Sequence, residues 1–419
     1  MWTRNFGALA AVLILSFLSA PAAAQTPVEP ITADTVRTAI QRGVAFLLKD
    51  QNPDGAWGSH RDALLGLDDA FMNEPSQRAF TIATTGLGCL AMNAVERTPE
   101  RDAAYERGIE YIITHAVDAR RISDWDVDNT WAFVYGLAAA VDAYTGPRYA
   151  NDAARRESLA KTIRGLLDRF KQYQTPLGGW GYYDSGDTVT FPPNWATSFM
   201  TSAAILAMLD AKAAGFEPDR SMLERAVRAI RRCRLPTGAY TYSLDIVSTP
   251  GHSEGINNIK GSLGRIQVCN LVLFRAAKAG FQTPGREIDV EMLREGLEHF
   301  FREHRFLDIA RGRPIPHEAY YANAAYFYFF GHYYAAKVIG ELPEADRAKY
   351  WERFQREVVK TQEADGSMWD YPMNSYGKPY GTAFAVLALQ ESLAARPAPA
   401  SRPAASSPAP REPEKSAGE

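Results

Sequence analysis

Two kinds of apolar pattern alternate along this chain. One is a stripe, with apolar residues at three- and four-residue spacing and charges between them, as in Glu224-Arg225-Ala226-Val227-Arg228-Ala229-Ile230-Arg231-Arg232. The other is small and apolar on all sides. It appears in Ala79-Phe-Thr-Ile-Ala-Thr-Thr-Gly-Leu-Gly-Cys-Leu-Ala91, Ala132-Phe-Val-Tyr-Gly-Leu-Ala-Ala-Ala140, Met200-Thr-Ser-Ala-Ala-Ile-Leu-Ala-Met208 and Thr382-Ala-Phe-Ala-Val-Leu-Ala-Leu389. A stripe at helical period buries one face, whereas a helix apolar all round is buried all round. Alternating β-branched runs are scarce, so the chain reads as helical almost throughout.

The two patterns pair into six outer–inner hairpins. The outer and inner helices are expected near 33–49 and 77–93, 101–115 and 129–144, 151–173 and 195–214, 221–233 and 263–279, 289–304 and 317–339, and 345–361 and 381–393. A turn phrase recurs after outer helices: Gln51-Asn-Pro-Asp-Gly55-Ala-Trp57-Gly58, Gln174-Thr-Pro-Leu-Gly178-Gly179-Trp180-Gly181 and Gln362-Glu-Ala-Asp365-Gly366-Ser-Met-Trp369, with a weaker copy at Arg234-Leu-Pro-Thr-Gly238-Ala-Tyr240. Its Gly permits the positive φ that ends a helix sharply. Its Gln can bond exposed helix-end groups, and its Trp can cover the turn, which assigns Trp57, Trp180 and Trp369 to that task. A tandem period means stacked supersecondary units. Six inner helices ringed by six outer ones predict an all-α fold, a single (α/α)6 toroid.

The ends differ from this body. Arg4, the apolar run Ala8–Leu18 and the small-residue stretch Ala20–Gln25 have the layout of a secretory signal peptide cleaved after Ala24. The apolar run is short for a membrane span, so the expectation is an exported, periplasmic or secreted chain with no transmembrane segment after cleavage. Residues 396–419 are rich in Pro, Ala and Ser and predict a disordered tail, leaving 30–395 for the toroid. A net charge of −3 does not suggest a nucleic-acid partner. Cys89, Cys233 and Cys269 have no metal-type spacing. Burial as small hydrophobes and a Cys89–Cys269 disulfide both stay open.

The Gln…Gly-x-Trp turns and the hairpin count resemble the terpene cyclase and squalene–hopene cyclase superfamily, over residues 30–395. The full-length triterpene cyclases of that superfamily use two toroids, and this chain has material for one. Class II members carry an Asp-x-Asp-Asp motif, usually followed by Thr, at the start of an inner helix. This sequence has Asp124-Trp125-Asp126-Val127-Asp128-Asn129-Thr130-Trp131, similar to that motif with its last Asp replaced by Asn129. The resemblance implies Asp128 as proton donor with Asp126 and Asn129 as partners, an apolar or polyprenoid small molecule as ligand, and no cofactor.

The residues allow two readings of this stretch. A second carboxylate keeps a proton in such a site, while a helix N-terminus steadies the base left behind. Equally, Asp and Asn are preferred N-cap residues. An EF-hand reading of Asp124, Asp126 and Asp128 fails, because Asn129 stands where Gly is required and Tyr135 where Glu is. Aromatic faces would stabilise carbocations, and Trp125, Trp131, Trp195, Tyr321 and Tyr328 are the candidates, with His317 as a polar neighbour. Zinc is not expected at Arg265-Ile-Gln267-Val-Cys269, where Gln replaces the Asp of the prenyltransferase pattern. A non-catalytic binding toroid is the first alternative. A carbohydrate-active toroid is the second, with carboxylates at Asp184, Asp187 and Glu318 and a polar loop bearing His252 and Glu254.

Overall fold

Five of the six outer helices begin with side-chain caps, which fix where those hairpins start. Thr32, Thr98, Asp152, Asp219 and Asp289 accept from the backbone N–H groups of Thr35, Arg101, Arg155, Met222 and Met292, at 2.9–3.3 Å. The computed structural model describes residues 30–58, 74–119, 129–182, 195–245, 254–372 and 376–394, without the side chains of 74–76 and 129. In chain order the helices are α1 (Ala33–Asp50), α2 (Glu74–Asn93), α3 (Pro99–His115), α4 (Asn129–Thr145), α5 (Ala153–Tyr173), α6 (Ser198–Ala213), α7 (Arg220–Cys233), α8 (Leu263–Lys278), α9 (Val290–Arg302), α10 (Arg305–Ala310), α11 (Phe327–Glu341), α12 (Glu344–Val359) and α13 (Gly377–Ala394). No strand occurs among the described residues.

The inner helices α2, α4, α6, α8, α11 and α13 each pack on the next, and α13 returns to α2, so the barrel is closed. Each outer helix packs chiefly on the inner helix of the hairpin before it. Thus α3 lies on α2, α5 on α4, and α1 on α13. The chain is an all-helical α/α toroid, as the two alternating patterns require.

The turn phrases act as clasps between hairpins. Gln51 Nε2 donates to Gly55 O (2.9 Å) and to Ala104 O of α3 (2.8 Å). Gln174 Nε2 donates likewise to Gly178 O (2.8 Å) and Met222 O of α7 (2.9 Å). Gln362 Nε2 donates to Gly366 O (3.0 Å) and Ala39 O of α1 (2.8 Å), which ties the last hairpin to the first. An Arg three residues further along each receiving helix bonds back. Arg107 and Arg225 donate to the Gln51 and Gln174 Oε1 atoms, and Arg42 donates to Glu363 O. The turn Gly must be Gly for two reasons. Its φ is +91°, +97° and +91° at Gly55, Gly178 and Gly366, and a Cβ there would sit 2.5, 2.9 and 2.5 Å from the carbonyl oxygens of Arg107, Arg225 and Arg42.

Two expectations need correction, and the structure adds two further points. The slot filled by Trp57 and Trp180 is filled in the last repeat by Met368, not Trp369. Trp57 N, Trp180 N and Met368 N each donate to an inner-helix Thr hydroxyl at 2.9 Å, and Trp369 is only half-buried. The fifth inner helix starts at Phe327 rather than 317, because His317, Tyr321 and Ala322 have positive φ and break the helix. The short helix α10 was not expected. The three cysteines are free and buried, with Ser202 Oγ donating to Cys269 Sγ at 3.3 Å, so there is no Cys89–Cys269 disulfide. Residues 1–29 and 395–419, with the signal-peptide and tail expectations, lie outside the described residues.

Candidate functional site at the inner-helix N-terminal end

Helical spacing brings aromatic side chains to one end of the barrel. Phe327, Phe330 and Tyr334 recur along one face of α11, Tyr380 and Phe384 along one face of α13 with Tyr376 just before it, and Trp131 and Tyr135 along α4. Phe199 of α6 and Phe330 stand at the centre. Phe199 lies 6.0 Å from Trp131, 5.2 Å from Tyr242, 5.2 Å from Phe327 and 5.9 Å from Phe330, centroid to centroid. Phe384 reaches Tyr135 and Phe330, and Tyr376 stacks on Phe80 of α2 at 4.4 Å. Five of the six inner helices therefore contribute rings to one belt, and α8 contributes Arg265. Phe80, Trp131, Tyr182, Trp195, Tyr326 and Tyr380 keep accessible surface, so this is a face as well as a core.

Three polar arrangements adjoin the belt. In the first, His317 Nδ1 donates to Ala322 O (2.8 Å), which leaves Nε2 to accept from Tyr326 Oη (2.9 Å). Burial, with Arg265 adding to it, holds the His317 pKa below its ordinary value, so the neutral tautomer fits both bonds. The strained backbone at His317, Tyr321 and Ala322 is of the kind that collects at sites.

The second arrangement is Asp370, fully buried between α12 and α13. Its Oδ2 accepts from Phe329 N in the first turn of α11 (2.9 Å), and its Oδ1 accepts from Tyr380 Oη. Burial pushes this carboxyl up to about 7, against the pull of those two donors. A buried acid that carries its proton near neutrality is an ordinary requirement for acid catalysis. The third is Arg265, whose guanidinium lies over the Tyr242 and Phe327 rings at 5.3 and 5.6 Å.

The opposite end of the barrel holds a cavity of about 840 Å³ near Asn93, Asp142, Lys337 and Glu391. Asn93 Nδ2 donates to Asp142 Oδ2 at 2.8 Å, and burial raises the Asp142 pKa.

Of the residues singled out in the sequence, Trp131, Trp195 and His317 meet at the belt. Trp195 packs 5.0 Å from Tyr182, and His317 lies 5.4 Å from Tyr242. Tyr321 stands apart, against Phe306 and Lys260. Tyr328 faces outward from the barrel, its hydroxyl donating to Glu357 O of α12 (2.9 Å). Asn129 is the first residue of α4. Asp124, Trp125, Asp126, Asp128, Asp184, Asp187, His252 and the side chain of Asn129 lie outside the described residues. Glu318 is exposed, with its nearest cation Arg313 3.8 Å away.

Asp370, Tyr380 and Arg265 were not assigned a role from sequence. Arg265 had left a signal, a single Arg within an otherwise uncharged inner-helix run. Asp370, one polar residue after a turn phrase, had left none.

Among the described residues one cluster has ligand atoms close enough for a metal: His304, Asp308 and Glu357. Its hydrogen bonds account for it without one. His332 Nδ1 donates to Tyr328 O (2.7 Å), so His332 Nε2 must accept from His304 Nε2 (3.0 Å). His304 Nδ1 then faces Asp308 Oδ2 at 3.0 Å, with Glu357 Oε2 3.4 Å from the same nitrogen. Lys360 Nζ lies 2.9 Å from Asp308. Burial, with His304 adding to it, holds the His332 pKa well below its usual value, as a neutral acceptor requires.

No family model and no curated protein matches the sequence. Several solved structures share the fold. The cellobiose 2-epimerase from Spirochaeta thermophila is 16% identical with a TM-score of 0.51, covering 86% of this chain and 98% of that one. A possible member of the GH105 family from Klebsiella pneumoniae is 14% identical with a TM-score of 0.50, over 92% and 99%. The type II terpene cyclase MstE from Scytonema is 12% identical with a TM-score of 0.46, over 87% and 99%. At these identities the two neighbours with TM-scores of 0.50 and 0.51 establish the toroid fold and nothing beyond it.

Proposed function

We propose that this chain is an exported, squalene-cyclase-like isomerase. It holds an apolar, polyprenoid-type molecule against the aromatic belt and protonates it through Asp128, with Asp126 and Asn129 as partners. One observation carries the reading. The belt includes Trp131, in the first turn of the helix that the acidic stretch leads into, and Trp131 lies against Tyr135, Phe199 and Phe330. Rings at that position suit cation–π stabilisation of the positive charge that protonating an alkene creates, worth about 2 kcal/mol each when desolvated. The N-terminus of α4 suits an acid that must give up its proton.

A second reading keeps the belt and moves the acid. Asp370 is buried, holds its proton near neutrality and touches Tyr380, whose ring belongs to the belt.

The test is incubation of the purified chain with squalene, followed by a search by mass spectrometry for a cyclic isomer of unchanged mass. Product that disappears in Asp128→Asn supports the first reading, and product that survives there but is lost in Asp370→Asn supports the second. Binding of squalene with no isomer formed contradicts both and leaves the non-catalytic toroid.

A further inference from the structure

Arg265 is the most costly group in the described structure to leave as it stands. It sits in the first turn of α8, 1% exposed. Only Nη2 has a partner, donating to Ile256 O, while Nε and Nη1 have none. A guanidinium has five N–H donors, so four remain unused, and one edge still offers an intact fork. Among the described residues the groups that act on it most are Tyr242, Cys269, Tyr326 and Tyr182, with no carboxylate among them. A buried cation is ordinarily retained only when paired. The two ring faces at 5.3 and 5.6 Å compensate part of the charge but satisfy no N–H.

We propose that Arg265 is a recognition site for an oxyanion, a carboxylate or a phosphate ester, carried on an apolar or aromatic body. The anion would take the free fork, and the body would lie along Tyr242, Phe327 and the rest of the belt. Planar, bidentate pairing with such groups is what Arg does better than Lys. Burial lowers the Arg265 pKa only to about 10, so the guanidinium keeps its charge at neutral pH. The half-exposed side chains of Tyr182, His317 and Tyr326 stand within its electrostatic reach and mark the side from which a ligand arrives. His317, one of three non-glycine residues with positive φ, borders the same place. This site stands on the geometry of the guanidinium and does not depend on the acid assigned above.

The experiment uses the full mature chain with benzoate, phenyl phosphate and inorganic phosphate as probes and benzyl alcohol as the neutral control, read by calorimetry and thermal shift. Benzoate or phenyl phosphate should bind and raise the melting temperature, and the better of the two identifies the headgroup. Benzyl alcohol should bind at least tenfold more weakly, and inorganic phosphate, lacking the body, more weakly than phenyl phosphate. Arg265→Met should lose at least tenfold in affinity for the anions and, without ligand, melt at or above the native temperature, because an unpaired buried charge has been removed. Failure of both aromatic anions to bind the native chain overturns the proposal, as does equal affinity in Arg265→Met. Should Arg265→Met not fold, Arg265→Lys decides. It keeps the charge and loses the fork, so a tenfold loss of affinity supports the site and unchanged affinity overturns it.

Discussion

Replacing Asp370 by Asn is expected to stabilise the protein above neutral pH and to leave it unchanged in acid. Asp370 accepts from Phe329 N on one oxygen and from Tyr380 Oη on the other, and once it is protonated its own O–H can turn the second bond round and donate to the Tyr380 oxygen. Asn reproduces both roles, accepting through Oδ1 and donating through Nδ2, with the same shape. Ionisation is what the buried site opposes. The folded-state pKa is pushed up to about 7 from an ordinary 3.8. A raised pKa means the stabilising contribution is complete below about pH 4 and is lost as pH rises through 7. About three pH units of difference correspond to roughly 4 kcal/mol as an upper figure. For a toroid of this size that is about 5 °C in melting temperature.

The assay is chemical denaturation of both proteins from pH 4 to 9. Asp50, Asp142 and Asp210 also have raised pKa values, but they titrate in both proteins, so the difference isolates Asp370. A stability difference near zero at pH 4 that grows in favour of Asn up to pH 8 is expected. A pH-independent difference, or an Asn variant less stable at pH 8, refutes the burial argument.

The clasps predict a second effect. Gln174→Ala removes two buried hydrogen bonds, to Gly178 O and Met222 O, and should cost about 2 kcal/mol by chemical denaturation. Gln362→Ala should cost a similar amount, because the same pair of bonds closes the ring onto α1. If the chain is exported as proposed, intact-mass measurement on protein from its native compartment should find residues 1–24 missing, and retention of Met1 would remove the export assignment.

The helices were legible because two apolar textures with the same 3.6-residue period separate outer from inner. Leu223, Val227 and Ile230 face the barrel from α7, while Ala203, Ile205 and Leu206 are buried on every side of α6. The last repeat misled because Trp369 is the conspicuous residue, whereas the slot is set by distance from Gly366 and takes Met368. The start of α11 misled because Tyr320–Tyr326 look helical by composition, and only tertiary context holds His317, Tyr321 and Ala322 in the left-handed region. Trp131, Trp195 and His317 could be found because they flank helix starts. Asp370 could not, since its chemistry comes from burial and from Tyr380 and Phe329, which reach it through the fold.

The proposed proton donation by Asp128 is tested by product formation from squalene in the native chain, Asp128→Asn and Asp128→Ala, each with its melting temperature. Asn caps a helix about as well as Asp. If Asp128 is the proton donor, Asp128→Asn loses product by a factor of roughly 10²–10⁴ or more while melting with the native protein. An Asp128→Asn variant that makes product at the native rate, beside an Asp128→Ala variant that has lost about 1 kcal/mol of stability, would make Asp128 a helix cap and not an acid.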